Sequence, residues 1–160
     1  MIFITLGSQK FPFDRLLRKV DDLIEQGAIT EEVFAQSGAS AYKPRHFACR
    51  AFLDRQELLA AIDKSSAVIT HGGTGIIVTA IKRGKKVIAV PRLKRYGEHV
   101  DDHQIQLIRQ FDEQKLIIPC YDLDELGSKL AQLADFPFQP YKSNTQAILD
   151  DLTAYLQNLF

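Results

Sequence analysis

The sequence has no tryptophan, only two cysteines, no excess of either charge and no long hydrophobic run. Cys49 and Cys120 are too few for a disulfide framework or a cysteine-rich zinc site, and both are predicted to be buried, reduced thiols. Twenty Lys and Arg residues balance twenty Asp and Glu residues, which argues against a general binder of nucleic acids. No apolar stretch approaches the roughly 18–20 residues that a membrane-spanning helix needs.

The first residues lack the basic start of a secretory signal peptide, and the sequence turns polar at Gly7. We therefore expect a cytoplasmic protein that associates with a membrane only through a partner. What the sequence does contain is 160 residues of mixed composition, 46% of them hydrophobic, which is typical of one globular domain with a substantial core.

Short apolar runs alternate with longer amphipathic segments along the chain. The short runs predict six strands, at residues 2–6, 32–36, 47–52, 67–70, 86–90 and 115–119. The amphipathic segments predict helices at residues 13–26, 55–64, 74–83, 100–111, 123–133 and 143–159. Asp54 and Glu57 have the spacing of a capping box at the start of the second helix.

This alternation predicts an α/β fold with a parallel sheet of about six strands and helices on both faces. The Phe- and Pro-rich stretch 136–140 is the best candidate boundary, and it divides a body of residues 1–135 from a C-terminal segment of residues 136–160. Ligands of such folds bind beyond the carboxyl ends of the strands, so the informative motifs are those that follow the strands.

The most informative motif follows the fourth predicted strand and reads His71, Gly72, Gly73, Thr74, Gly75, with a helix opening directly from it. Glycines let the backbone approach a ligand closely, and the free N–H groups of a first helical turn favour anionic oxygens. The motif predicts a phosphate or diphosphate site, although a tight turn that merely needs glycine fits the spacing equally well. There is no Walker motif and no dinucleotide fingerprint, so neither a P-loop nucleotide nor NAD is expected.

A second polar segment, residues 97–104, follows the fifth predicted strand. Asp101, Asp102 and His103 suggest a metal site, but adjacent residues of a helix point in different directions, which disfavours that interpretation. An Asp and Gln pair that binds neighbouring sugar hydroxyls fits better, and a solvated polar face is the remaining alternative.

Taken in order, the motifs G-S-Q, F-L-D, HGGTG, G-K-x-V-x-V-P-R and EHVDDHQ resemble the C-terminal half of family 28 glycosyltransferases of the GT-B architecture, which is a Rossmann-like domain. The resemblance extends from Phe3 to about Leu133 and is closest to stand-alone versions of this half. Such versions occur in the dolichol-pathway N-acetylglucosaminyltransferase and in two-protein enzymes of capsular and exopolysaccharide synthesis. The resemblance implies a UDP-sugar donor as substrate, no metal and no other cofactor.

The resemblance also implies roles for matching positions. Phe52 and Leu53 would hold the uracil ring. The loop 72–75 would receive the diphosphate, with Ile76 beginning the helix and Ser8 facing the same ligand. Asp102, His103 and Gln104 would contact the donor sugar. Many relatives bind both ribose hydroxyls with a Glu where this chain has Thr79, so UDP binding is expected to be weaker.

In such a transfer, negative charge grows on the β-phosphate, and a helix N-terminus stabilises it without a metal. Arg92, Lys94 and Arg95 would add positive potential, unless they form a solvated basic loop. His71 is predicted to order the glycine loop rather than to act as a base. The predicted donor site therefore consists of Ser8, Phe52, Leu53, His71, Gly72, Gly73, Thr74, Gly75, Ile76, Thr79, Arg92, Asp102, His103 and Gln104.

The chain offers no convincing general base, and in the family the base and the acceptor groove belong to the N-terminal half. The resemblance therefore implies an incomplete enzyme whose partner is a membrane-anchored, acceptor-binding subunit. The pair would be an inverting glycosyltransferase that transfers a hexose to a lipid-linked acceptor at the inner membrane face in cell-surface polysaccharide synthesis. The alternative is a non-catalytic nucleotide- or phosphate-binding regulatory module.

The C-terminal helix bears on that partner, because its apolar residues form a broad stripe. The stripe consists of Ile148, Leu149, Leu152, Tyr155, Leu156, Leu159 and Phe160. The resemblance implies contact with the other subunit, while packing on the chain's own sheet fits the pattern equally well. Self-association of the isolated chain also remains open.

Overall fold

The short apolar runs form six strands of one sheet in the computed structural model, which describes residues 1–157. The strands are β1 (Ile2–Thr5), β2 (Val33–Gln36), β3 (Ala48–Arg50), β4 (Ala67–His71), β5 (Lys86–Val90) and β6 (Ile118–Pro119). The helices are α1 (Asp14–Glu25), α2 (Arg55–Lys64), α3 (Thr74–Lys82), α4 (His103–Glu113), α5 (Leu126–Gln132) and α6 (Thr145–Gln157). The predicted α/β class is confirmed.

The strand order is β3-β2-β1-β4-β5-β6, and every neighbouring pair is parallel. The chain runs outward from β1 to β3 and then crosses back to place β4 on the other side of β1. Thr5 pairs with Thr70, so the carboxyl ends of β1 and β4 are level. A crevice forms where the strand order reverses, and in open α/β sheets this is where ligands bind.

The core lies in two layers, one on each face of the sheet. One cluster packs α1 and α5 against side chains such as Ile4 and Leu6, and the other packs α2, α3 and α4 against side chains such as Phe3 and Val68. A sheet covered on both faces explains why its central strands are apolar throughout. The rigid layers fix the positions of the loops at the strand ends.

Several predicted boundaries differ from the structure for local reasons. The sixth strand is shorter than predicted because the first residues of the predicted run close the end of α4. Lys115 has a left-handed φ of 53°, and the Leu116 N–H group donates to the Phe111 carbonyl at 3.0 Å. Helix α4 begins at His103 rather than at residue 100, because Asp101 Oδ1 accepts a hydrogen bond from the His103 N–H group and holds the preceding turn open. The predicted capping box of α2 is confirmed, with bonds of 2.8 and 3.0 Å between Asp54 and Glu57.

The two cysteines differ in burial. Cys120 is fully buried, and burial raises the pKa of its thiol to about 11. Cys49 is only half-buried, which corrects the prediction for this residue, because β3 is an edge strand with one open side. Both are free thiols.

The C-terminal segment begins against the core and ends away from it. Phe136 and Phe138 pack on one core cluster and Tyr141 on the other, whereas α6 buries none of its residues. The exposed stripe therefore reaches Leu156, and Leu159 and Phe160 lie outside the described residues. The division at residue 136 stays a prediction. None of the helices among residues 1–157 has both the length and the apolar character needed to span a bilayer.

Candidate functional site

A cleft of about 340 Å³ opens at the carboxyl ends of β1 and β4, where the strand order reverses. Six residues of the predicted donor site line it together, although they come from three separate segments of the chain. They are Ser8, Phe52, Leu53, Gly75, Ile76 and Thr79. Phe52 is 52% exposed, so a large aromatic ring faces solvent at the mouth of the cleft, available to stack on a ligand.

The glycine loop leads directly from β4 into α3. His71 ends the strand, Gly73 is the N-cap, and its N–H group donates to the His71 carbonyl at 2.8 Å. Thr74 and Gly75 are exposed, and the first N–H groups of any α-helix have no carbonyl partner within it. The loop thus presents backbone donors and the positive end of a helix dipole, which suits the oxygens of a phosphate group.

His71 packs against two glycine turns. A Cβ atom added at Gly7 would lie 2.7 Å from Cε1 of His71, and one added at Gly73 would overlap Nε2 of the same ring. Burial, together with the charge of Arg92, lowers the pKa of His71 to about 4. A neutral, enclosed imidazole that touches both turns is what we expect of a residue that orders the loop.

Gln104 connects the glycine loop to the segment after β5. Its Oε1 accepts hydrogen bonds from the N–H groups of Gly72, at 3.3 Å, and Arg92, at 2.9 Å, and the residue is buried. Since the oxygen is bonded within the protein, the predicted contact with a sugar hydroxyl would fall to the side-chain NH₂ group. A side chain at Gly72 would collide with Gln104, which explains the first glycine of the motif.

His103 and Asp102 lie at the start of α4, next to Gln104. His103 is about half-exposed and contacts Asp101 through Nδ1. Asp102 Oδ1 accepts a hydrogen bond of 2.8 Å from the Lys94 N–H group, which ties α4 to the loop after β5. His103 therefore has the freer side chain of the two for contact with a ligand.

Arg92 occupies a different environment from its basic neighbours. Its side chain is fully buried and donates to the carbonyls of Leu6, at 2.5 Å, and Phe11, at 3.1 Å, and burial lowers the pKa of the guanidinium. Lys94 and Arg95 are exposed, so the alternative of a solvated basic loop describes them and not Arg92. Arg92 anchors the turn that carries Ser8 and is not among the residues that line the cleft.

Gln36 is a residue of the cleft that the sequence analysis missed. It is buried at the end of β2, donates to the Gly7 carbonyl at 3.3 Å and accepts from the Leu53 N–H group at 3.2 Å. It thus links two walls of the cleft, the turn after β1 and the segment after β3. A buried amide at the end of an otherwise apolar strand is the signal that would have identified it.

The fold and the loop define a Rossmann-like α/β domain with a glycine loop and a helix N-terminus at its switch point. The profile of the glycosyltransferase family 28 C-terminal domain matches residues 1–158, and the chain belongs to this family. It is accordingly a glycosyltransferase domain of the C-terminal GT-B type. No curated protein sequence matches the chain significantly.

Solved structures with the same fold include both a small protein and larger enzymes. The solution structure of ALG13 superimposes with a TM-score of 0.60 at 18% identity, covering 94% of this chain and 93% of that one. MurG of Acinetobacter baumannii superimposes with a TM-score of 0.58 at 16% identity, covering 84% of this chain and 41% of that one. The glycotransferase of kitacinnamycin superimposes with a TM-score of 0.60 at 15% identity, covering 85% of this chain and 35% of that one. The chain therefore spans roughly a third to two-fifths of these larger enzymes and nearly all of ALG13.

Proposed function

We propose that this chain is the UDP-sugar-binding subunit of a two-component inverting glycosyltransferase. The observation that carries the proposal is the cleft at the β1/β4 switch point, where an exposed aromatic ring and a helix N-terminus face the same space. A nucleotide diphosphate has matching parts, since its base stacks on aromatic rings and its phosphates bind backbone N–H groups.

Each part of the donor has a counterpart in the chain. The uracil ring lies against Phe52 and the backbone of Leu53, whose own N–H group is already bonded to Gln36. The diphosphate lies at the loop 72–75, within reach of the Ser8 hydroxyl. The sugar extends toward His103 and the NH₂ group of Gln104. The sugar is a hexose, whose hydroxyls suit these donors.

The chain's contribution to the reaction is to stabilise the leaving group. As the bond to the sugar breaks, negative charge develops on the β-phosphate oxygens, and the N-terminus of α3 stabilises this charge without a metal ion. His71 is enclosed and neutral and so keeps the loop in shape rather than removing a proton from the acceptor. The general base belongs to the partner subunit.

That partner is a membrane-anchored subunit that binds a lipid-linked acceptor for cell-surface polysaccharide synthesis, and it holds this cytoplasmic chain at the inner membrane face. Support comes from α6, which exposes Ile148, Leu152 and Tyr155 by 53–63% and buries none of its residues. The fold match to ALG13 over nearly the full length of both chains also supports a domain that exists apart from an N-terminal half.

The proposal is tested by calorimetric titration of the chain with UDP, UDP-hexoses and ATP. We expect UDP compounds to bind more tightly than ATP and Phe52→Ala to weaken UDP binding about tenfold, since base stacking contributes about 1–3 kcal/mol. Tyr121→Ala removes an exposed aromatic residue outside the cleft and leaves binding unchanged. Equal binding of UDP and ATP would favour the regulatory module, and no uridine nucleotide binding with the partner present would refute the donor site.

A further inference from the structure

His99, Asp101 and His103 form a cluster, and the proposed donor site uses only His103 of the three. Their ligand atoms lie within 4.8 Å of one another. His99 Nδ1 is 3.2 Å from Asp101 Oδ1, His103 Nδ1 contacts the same oxygen, and the two imidazole rings are 4.7 Å apart. The H-x-D-x-H spacing, in the turn before α4 and at its first residue, places all three groups together.

The surroundings of the cluster hold one imidazole firmly and leave the other two groups open. The His99 side chain is 8% exposed and packs on the ring of Phe11 at 5.1 Å between centroids. Asp101 and His103 are 56% and 46% exposed, so an ion has access from solvent. Asp102, which the sequence analysis considered as a ligand, instead accepts from the Lys94 N–H group.

Two imidazoles and one carboxylate are the donor set that proteins use for zinc and similar divalent transition ions. With bonds of about 2.0–2.1 Å, two ligands on a tetrahedral ion lie about 3.4 Å apart, close to the spacing of His99 Nδ1 and Asp101 Oδ1. We propose that His99, Asp101 and His103 bind one divalent transition-metal ion of the Zn²⁺ type, with a fourth position open to water. Each side chain supplies one ligand atom, and a small rotation of His103 accommodates the ion.

The test is a calorimetric titration of ZnCl₂ into the nucleotide-free chain, with a phosphine reductant to protect the thiols. We expect one ion per chain and at least a tenfold loss of affinity in Asp101→Asn, which keeps the shape of an exposed side chain. His99→Gln should lose as much, and thermal unfolding checks that it remains folded. His46→Ala removes an exposed imidazole outside the cluster and is the matched control, with unchanged affinity.

Two results would overturn the proposal. One is no uptake of zinc, and the other is equal affinity in the wild type and Asp101→Asn, either of which leaves the cluster as a hydrogen-bonded cap of α4. Cobalt provides an independent readout: Co²⁺ in this site absorbs in the visible region without a sulfur charge-transfer band, and Asp101→Asn removes the absorption. A sulfur band would instead assign the ion to Cys49 or Cys120.

A consequence for regulation rests on the proposed function. Because His103 would serve both the metal and the donor sugar, one equivalent of Zn²⁺ should weaken UDP-sugar binding at least threefold in the wild type but not in His99→Gln. Unchanged donor affinity in the wild type would overturn this competition. The two proposals fail separately, since the zinc titration contains no nucleotide and the UDP titration contains no metal.

Discussion

The imidazole of His71 occupies the space beside Gly73 that any larger residue would need. Gly73→Ala should therefore displace the ring, lower the free energy of unfolding by about 1–3 kcal/mol and abolish UDP binding. Urea denaturation and calorimetry measure the two effects. Gly75→Ala is the folding control, because a Cβ there meets open space in a helix and should leave stability equal or slightly higher. Equal stability of the two variants would mean that His71 does not constrain the loop.

The enclosure of His71 also predicts how stability depends on pH. The folded pKa of about 4 lies below the unfolded value of about 6.5, so between these values the unfolded chain binds the additional proton. The stabilisation is complete above pH 6.5 and falls as the pH falls toward 4, with a loss of about 2 kcal/mol between pH 7 and pH 5. Urea denaturation at several pH values measures this slope. In His71→Asn the unfolding free energy should fall by about 2 kcal/mol less between pH 7 and pH 5 than in the wild type. The same fall in both proteins would contradict the prediction.

Sequence patterns were sufficient for features that depend on a few neighbouring residues. The strands, the capping box of α2 and the positions of the loops after β1 and β4 follow from local spacing and from the geometry of a parallel sheet. The cleft residues came from the family resemblance, and the structure brings six of them together.

Sequence patterns failed where the partner of a polar group is distant in the chain. The sequence alone allowed Arg92 to be part of a solvated basic loop. In the structure its guanidinium donates to the carbonyls of Leu6 and Phe11, more than 80 residues away. Gln36 joins Gly7 and Leu53 in the same way. The direction of a side chain depends on the tertiary contacts around it, and spacing in one sequence carries no record of those contacts.

Asp21 organises the loop between β2 and β3, which connects two parallel strands without a helix. It is fully buried and accepts from Tyr42 Oη at 2.7 Å and from the N–H groups of Arg45 and His46 at 2.8 and 2.9 Å. These bonds keep the pKa of the carboxyl below its usual value despite the opposing effect of burial. Asp21→Ala leaves the three donors without this acceptor and should cost about 3 kcal/mol of unfolding free energy at pH 7.

The neighbouring carboxylate provides the matched control for Asp21. Asp22 is exposed on the same helix, and Asp22→Ala should change the unfolding free energy by less than about 0.5 kcal/mol. Asp21→Asn keeps the shape and one acceptor oxygen, so its cost should fall between the two. Similar values for Asp21→Ala and Asp22→Ala in urea denaturation would show that the loop does not depend on Asp21.

Thr79 is the position at which the family resemblance predicts a Glu. It lines the cleft, and its hydroxyl donates to the Gly75 carbonyl at 2.7 Å, one turn earlier in α3. Thr79→Glu should strengthen UDP binding about tenfold in calorimetry, because a carboxylate accepts from both ribose hydroxyls. Thr79→Gln has the same length without the charge and should gain less. If the gain persists with 2′-deoxy-UDP, the carboxylate is not acting on the ribose pair.

Helix α6 should be dispensable for folding and necessary for assembly. Truncation after Lys142 removes an element with no buried residue and keeps Tyr141, which packs on the core and lies 5.6 Å from the Lys82 ammonium. The truncated chain should unfold cooperatively, within about 1 kcal/mol of the full chain, and should no longer co-purify with a co-expressed membrane-anchored acceptor-binding subunit. Truncation after Asp135 is the contrasting variant, because it also removes Phe136 and Phe138 from the core and should cost more than about 2 kcal/mol. If the chain truncated after Lys142 still co-purifies with the partner, α6 is not the assembly surface. If that chain no longer unfolds cooperatively, α6 supports the fold.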